Sequence, residues 1–142
     1  MAVVNNLLLW VHLLAWGLGM GGGLGMSQVG PRLIAACPDQ RATWWPMVEV
    51  FSRMSSIALV LLLVTGPLML WMKYDGGRSL NAGFPVKMGL VLVSVLTIGL
   101  THWGKARLKR GDEGGARVMM IAGPLTAVVM FAVVLAAVFA FD

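Results

Sequence analysis

The chain has 142 residues, 58% of them hydrophobic and 12% charged, with a formal net charge of +5. Soluble domains are about a quarter charged, so this composition excludes an ordinary soluble domain and points to an integral membrane protein. The basic excess lies between long apolar runs, which fits loop anchoring in a membrane protein and excludes a nucleic-acid surface.

A membrane-spanning helix needs ~20 mostly apolar residues. Four windows meet this: residues 6–29, 51–72, 85–103 and 118–141. The expected fold is all-α, a single antiparallel four-helix transmembrane bundle over residues 1–142. Asn6 is suited to cap the first helix, and Pro85 is favoured in the first turn of the third. Gly76-Gly77 breaks the chain after the second helix, and Gly111 with Gly114-Gly115 breaks it after the third. No lysine or arginine precedes Arg32, so the first window lacks the basic start of a cleaved leader and is expected to be retained. The single cysteine, Cys37, excludes an internal disulfide and any multi-cysteine metal site.

Loop charge sets the expected orientation. The first loop and its flanks carry Arg32, Arg41 and Arg53, and the third carries Lys105, Arg107, Lys109, Arg110 and Arg117. The middle loop has only Lys73, Arg78 and Lys87, so eight cations face three. The first and third loops are therefore expected in the cytoplasm and both termini outside, in a bacterial-type inner membrane. Trp10 and Trp71 fall near the outer interface of this frame, and Trp44, Trp45 and Trp103 near the inner one.

The two helical pairs resemble each other faintly. Val11-His12 matches Val86-Lys87, and "RMSSIA" from Arg53 matches "RVMMIA" from Arg117. A repeat of this kind relates two hairpins about an axis along the membrane normal, with His12 and Lys87 at equivalent depth.

Few residues are equipped for chemistry. His12 shares a helical face with Ala15, Trp16, Gly19, Gly23 and Met26. Small residues four apart admit either another backbone or a flat cofactor, and an ionisable group inside a membrane is costly enough to suggest function. Lys87 opens the third helix on a face that continues through Val91, Ser94, Ile98 and Thr101. It either snorkels to the interface or faces inward. Arg53 and Arg117 open the second and fourth helices, as interface anchors or as holders of carboxylates. His102 lies 15 residues beyond Lys87, ~22 Å away in depth, so His12 and His102 are not expected to ligate one haem. The eleven methionines serve as core filler or as soft ligands for copper(I). "GLGMGG" at residues 17–22 formally matches a dinucleotide-binding loop, but that reading needs a preceding strand, which a membrane helix does not supply.

At these residues the chain resembles the four-helix haem-b type protoporphyrinogen oxidase family and the related copper-resistance D-like membrane domains. The matching elements are His12 with "GPRLIAA" (Pro31, Arg32, Leu33), "FSRMSSIALVLLLVTGPLML", "FPVKMGLVL" and "THWGKARLKRGD", in the family's order. Between His12 and the Pro-Arg pair this chain is about four residues longer than the pattern, and its third helix is about one turn longer, which keeps both faces in register. The resemblance implies a haem b site with His12 as axial metal ligand, and the oxidation of protoporphyrinogen IX to protoporphyrin IX. Lys87 and Arg53 would act as catalytic groups, with Gly19, Gly23, Arg117 and His102 contacting the cofactor. The alternatives from the residues are an accessory subunit of a larger membrane complex, docked through the glycine face, and a copper-handling protein. Lipid is the expected surroundings, with a homo-oligomer or a larger complex as the expected assembly.

Overall fold

The computed structural model describes residues 2–73 and 83–140. The loop carrying Gly76, Gly77 and Arg78 and the end of the fourth predicted window lie outside the described residues. Four helices account for nearly all of the rest: α1 (Ala2–Ala35), α2 (Pro38–Lys73), α3 (Gly83–Lys109) and α4 (Gly114–Ala140). Each is long and apolar enough to cross a membrane.

The helices run past the windows read from composition, chiefly at the ends joined by short loops. Hydropathy marks only the segment suited to lipid, whereas the backbone hydrogen-bond ladder continues wherever the termini are capped. The 36 residues of α2 measure ~54 Å, well beyond a hydrocarbon core of ~30 Å. Its start is built from Cys37, whose carbonyl accepts from the Gln40 and Arg41 amides at 2.9 and 3.1 Å, with Pro38 in the first helical position. One consequence is that Glu49, outside the predicted second window, sits well within α2.

The α3–α4 turn is closed by a left-handed glycine. Gly111 has φ +83°, and the amides of Gly111 and Asp112 donate back to the carbonyls of Leu108 and Arg107. This is the Schellman arrangement, in which glycine avoids the steric penalty of positive φ. Asp112 then accepts the Gly114 amide at 2.8 Å at the start of α4 and the Arg107 Nε–H at 2.7 Å. These bonds, Arg107 first, hold the Asp112 carboxyl below its ordinary value. Arg41 donates to both oxygens of Glu113 at 2.8 and 3.2 Å, tying α2 to this turn and lowering the Glu113 pKa. Arg107 stacks on Trp103, Lys109 on Trp45 and Arg32 on Trp44.

Helix α1 packs against both α2 and α4, and α3 packs against α4, while α2 and α3 touch at few positions. Along α1 the contacts with α2 run from Gly25 on Phe51 through Gly22 on Ser55 and Gly19 on Ala58 to His12 on Thr65. Those with α4 run from Met26 on Gly123 through Gly23 on Ala127 to Trp16 on Met130. Numbers fall on one helix as they rise on the other in both series. The packing is not symmetric between the two helical pairs, because the α1–α4 seam has no equal between α3 and α2. The apolar core of Met26, Val29, Leu33, Val48, Leu108, Ala116 and Met119 sits toward the short-loop end. Large apolar side chains such as Leu7, Trp71, Leu92 and Val128 are exposed on the outer faces of the four helices.

Candidate functional site

The face bearing His12 points into the helix group, not away from it. Its partner is Thr65 of α2, with His12 Nδ1 and Thr65 Oγ1 2.7 Å apart. Thr65 has one hydroxyl proton and gives it to the Leu61 carbonyl at 2.7 Å. Toward the imidazole the threonine oxygen is therefore the acceptor and Nδ1 carries the proton. In the neutral ring this leaves Nε2 with a free lone pair, the tautomer that binds a metal or takes up a proton. Half-buried Lys87 of α3 lies close enough for its charge to act on the His12 ring. The structure thus brings together His12 and Lys87, two of the residues singled out in the sequence, and adds Thr65, which hydropathy alone did not mark.

Neighbouring helices occupy the glycines below His12. A methyl group on Gly23 would lie 3.2–3.3 Å from the Ala127 backbone and Cβ, and one on Gly19 would lie 3.2 Å from Ala58 Cβ and 3.4 Å from Met130 Cε. At Gly22 it would meet the Phe51 carbonyl at 2.9 Å and the Ser55 amide at 3.0 Å. The sequence left this face open to a porphyrin or to another helix. The structure packs α2 and α4 against it at Gly19 and Gly23. Trp16 reinforces the seam by donating its indole N–H to the Met130 carbonyl at 3.0 Å. Met26 and Met130 are buried against Gly123 and Gly19, as methionine suits irregular gaps.

His102 belongs to a second polar site, at the short-loop end. Its Nε2 is 2.6 Å from Ser56 Oγ and 3.4 Å from Ser52 Oγ. Ser56 donates to the Ser52 carbonyl at 2.9 Å, so its oxygen accepts from the His102 Nε2–H. Lys105 donates to Ser52 Oγ at 2.9 Å and to Glu49 at 3.0 Å, and Lys109 donates to the other Glu49 oxygen at 2.6 Å. Every hydrogen bond and ion pair described between α2 and α3 falls within this group. Ser56 and Thr65 are nine residues apart on α2, so the two histidines are bonded ~13 Å apart in depth. That spacing is too great for both to ligate one iron. The sequence singled out His102 but not its partners. Three closely spaced serines in "SRMSS" were the available signal, and Glu49 fell outside the predicted window.

Arg53 and Arg117 are exposed, on α2 and α4 near the short-loop end, away from His12. A small cavity of about 10 Å³, room for about one water, lies where the four helices meet. It is walled by Ser52 and Ser55 of α2, Thr101 and His102 of α3, Thr126 of α4, and Gly23 and Met26 of α1. A larger open groove follows Val3, Asn6, Leu7 and Trp10. It lies on the opposite side of α1 from His12, by the 100° turn per residue.

His12, its ring held by Thr65, would be the residue to hold a metal, through Nε2. No family model, curated protein or solved structure matches the chain.

Proposed function

We propose that the chain is a multi-pass inner-membrane protein, an antiparallel transmembrane bundle with the short-loop end in the cytoplasm, that binds haem b through His12. The observation that carries the haem reading is the Thr65–His12 bond. Thr65 has already given its proton to Leu61, so it fixes the protonated nitrogen as Nδ1 and leaves Nε2 to ligate. The sparse contact between α2 and α3 beyond their short-loop end supports lateral access to the His12 and Lys87 region. Haem b would supply one-electron chemistry there. Lys87 would hold positive charge beside an anionic substrate or accept a proton, because an ammonium so placed attracts propionates. Oxidation of protoporphyrinogen IX rests on the sequence resemblance, with lateral entry suited to a porphyrinogen, whose macrocycle is apolar and whose propionates would reach Lys87. Arg53 and Arg117 serve in this reading as interface anchors at the cytoplasmic end and not as groups at the iron.

The test is an absorption spectrum of protein purified from cells supplied with haem precursor. A Soret band is expected in the wild type, lost in His12→Ala and kept in His102→Ala. A colourless wild type, or a band that survives His12→Ala, overturns the proposal.

A further inference from the structure

Three carboxylates at the short-loop end hold four cations. Glu113 pairs with Arg41, Asp112 with Arg107, and Glu49 with both Lys105 and Lys109. The single charge of Glu49 meets two ammonium groups, at 3.0 and 2.6 Å, so this cluster keeps one positive charge over. Arg53 adds a second. It lies one turn beyond Glu49 on α2, and residues four apart on a helix have Cβ atoms ~5–6 Å apart. Arg53 is exposed, and among the described residues no carboxylate pairs with it.

The two accessible cations here come from different helices. Lys105 is buried, whereas the Lys109 side chain is 51% exposed. Lys109 has three N–H donors and gives one to Glu49, while its ammonium stands 5.2 Å from the centre of the Trp45 ring. Tryptophans at a membrane interface sit at headgroup level, so Trp45 sets the level of this cluster. Arg53 of α2 and Lys109 of α3 thus flank one carboxylate with donors unspent.

Beyond Arg53 the same face of α2 is apolar. Ile57, Val60 and Val64 follow at four, seven and eleven residues, and they are 55%, 60% and 54% exposed. They extend ~16 Å from the arginine, the depth of one leaflet of a ~30 Å hydrocarbon core. A free anion would meet the two cations and make no use of this ridge, whereas a phospholipid uses both. Arg117 on α4 also borders exposed apolar residues, Met120 and Ile121, but the carboxylate one turn before it, Glu113, holds one cation and not two.

We propose that Arg53 and Lys109 bind the phosphodiester of an anionic phospholipid whose acyl chain lies along Ile57, Val60 and Val64. Arg53 offers paired N–H donors to the phosphate oxygens, and Lys109 supplies a point charge from the facing helix. Glu49 is engaged by both lysines, so it fixes Lys109 without presenting an unpaired charge to the headgroup. One cation from each helix makes the lipid a clamp on α2 and α3 at the end where they touch. Basic sites of this kind between membrane helices select anionic headgroups. The site rests on the chain's place in a membrane and not on haem binding.

The experiment measures lipid binding to the full chain, delipidated in a neutral detergent, by native mass spectrometry. The probes are phosphatidylglycerol and phosphatidylcholine with the same acyl chains. Wild type is expected to prefer phosphatidylglycerol about 25-fold, the product of about fivefold for each of two cations. Arg53→Gln breaks no described contact and should cut that preference about fivefold, whereas Arg117→Gln should leave it unchanged. Added inorganic phosphate should not displace the lipid. No preference in the wild type overturns the proposal, as does an unchanged preference in Arg53→Gln. Equal losses in Arg53→Gln and Arg117→Gln overturn it in favour of diffuse attraction, and displacement by inorganic phosphate in favour of a free-anion site. Retention of the chain in membranes washed with alkaline carbonate tests the membrane reading separately. A chain that is retained yet shows no preference overturns the lipid site alone, and the Soret test of the haem reading stands either way.

Discussion

Adding one methyl group to α1 should have opposite effects at two glycines five residues apart. Gly17 and Gly22 both lie inside the helix, so alanine at either site recovers up to about 1 kcal/mol of helix propensity. At Gly17 the new carbon meets nothing within 4 Å, and the propensity gain stands alone. At Gly22 it meets backbone, the Phe51 carbonyl at 2.9 Å and the Ser55 amide at 3.0 Å, together with the Ser55 hydroxyl. A backbone cannot swing away as a long side chain does, so α2 must retreat, and overpacking of this kind costs about 1–3 kcal/mol. The propensity term cancels between the two variants. Gly22→Ala should therefore be less stable than Gly17→Ala by about 1–3 kcal/mol. The measurement is equilibrium unfolding in mixed micelles with increasing dodecyl sulfate, followed by tryptophan fluorescence. If Gly22→Ala proves as stable as Gly17→Ala, the close approach of α1 and α2 described above is wrong.

Other outcomes follow from single contacts. Trp16→Phe keeps an aromatic side chain, though a smaller one, and loses the 3.0 Å bond to the Met130 carbonyl, a loss that should cost about 0.5–1.5 kcal/mol in the same assay, with the lost volume adding to it. Gly111→Ala places a side chain at φ +83° and should cost about 1–2 kcal/mol, with no packing change to offset it. Asp112 and Glu113 have folded pKa values below their ordinary 3.8 and 4.5, held there by Arg107 and Arg41. Their contribution to stability is complete above those ordinary values and disappears as pH falls through the lower folded values. Unfolding midpoints measured between pH 6 and 3 should drop at the acid end, and Arg41→Gln should flatten the part due to Glu113. Thr65→Val removes the acceptor for His12 Nδ1, so under the proposed haem binding this variant should show a shifted or weakened Soret band relative to the wild type, with the fold unchanged.

Four long helices were legible because runs of apolar residues at this density have few other uses. Their ends were less so. Asp39, Arg41 and Glu49 made the start of α2 read as a loop, yet a helix that outlasts the lipid carries such residues with its ladder intact. The glycines announced a thin surface, but thinness does not name what approaches it. Only the three-dimensional placement of Phe51, Ser55, Ala58 and Ala127 answers that. The identity of His12 was visible, whereas its tautomer was not, since that depends on a threonine 53 residues away and on where its proton goes.

The α1–α4 seam has a consequence for how the chain is made. Gly22 and Gly25 find Phe51 and Ser55 about thirty residues later, so the first two helices can pair as soon as both have left the ribosome. Gly19, Gly23 and Trp16 wait for Ala127 and Met130, up to 114 residues away in α4. Until α4 arrives, one flank of α1 stays uncovered, and the closure that follows joins α1 to α4 across two intervening helices. Such a non-local step is the slow one in assembly and the natural point of attack for quality-control proteases. Truncations within α4 should therefore leave a paired α1–α2 unit that is degraded, not a smaller stable protein.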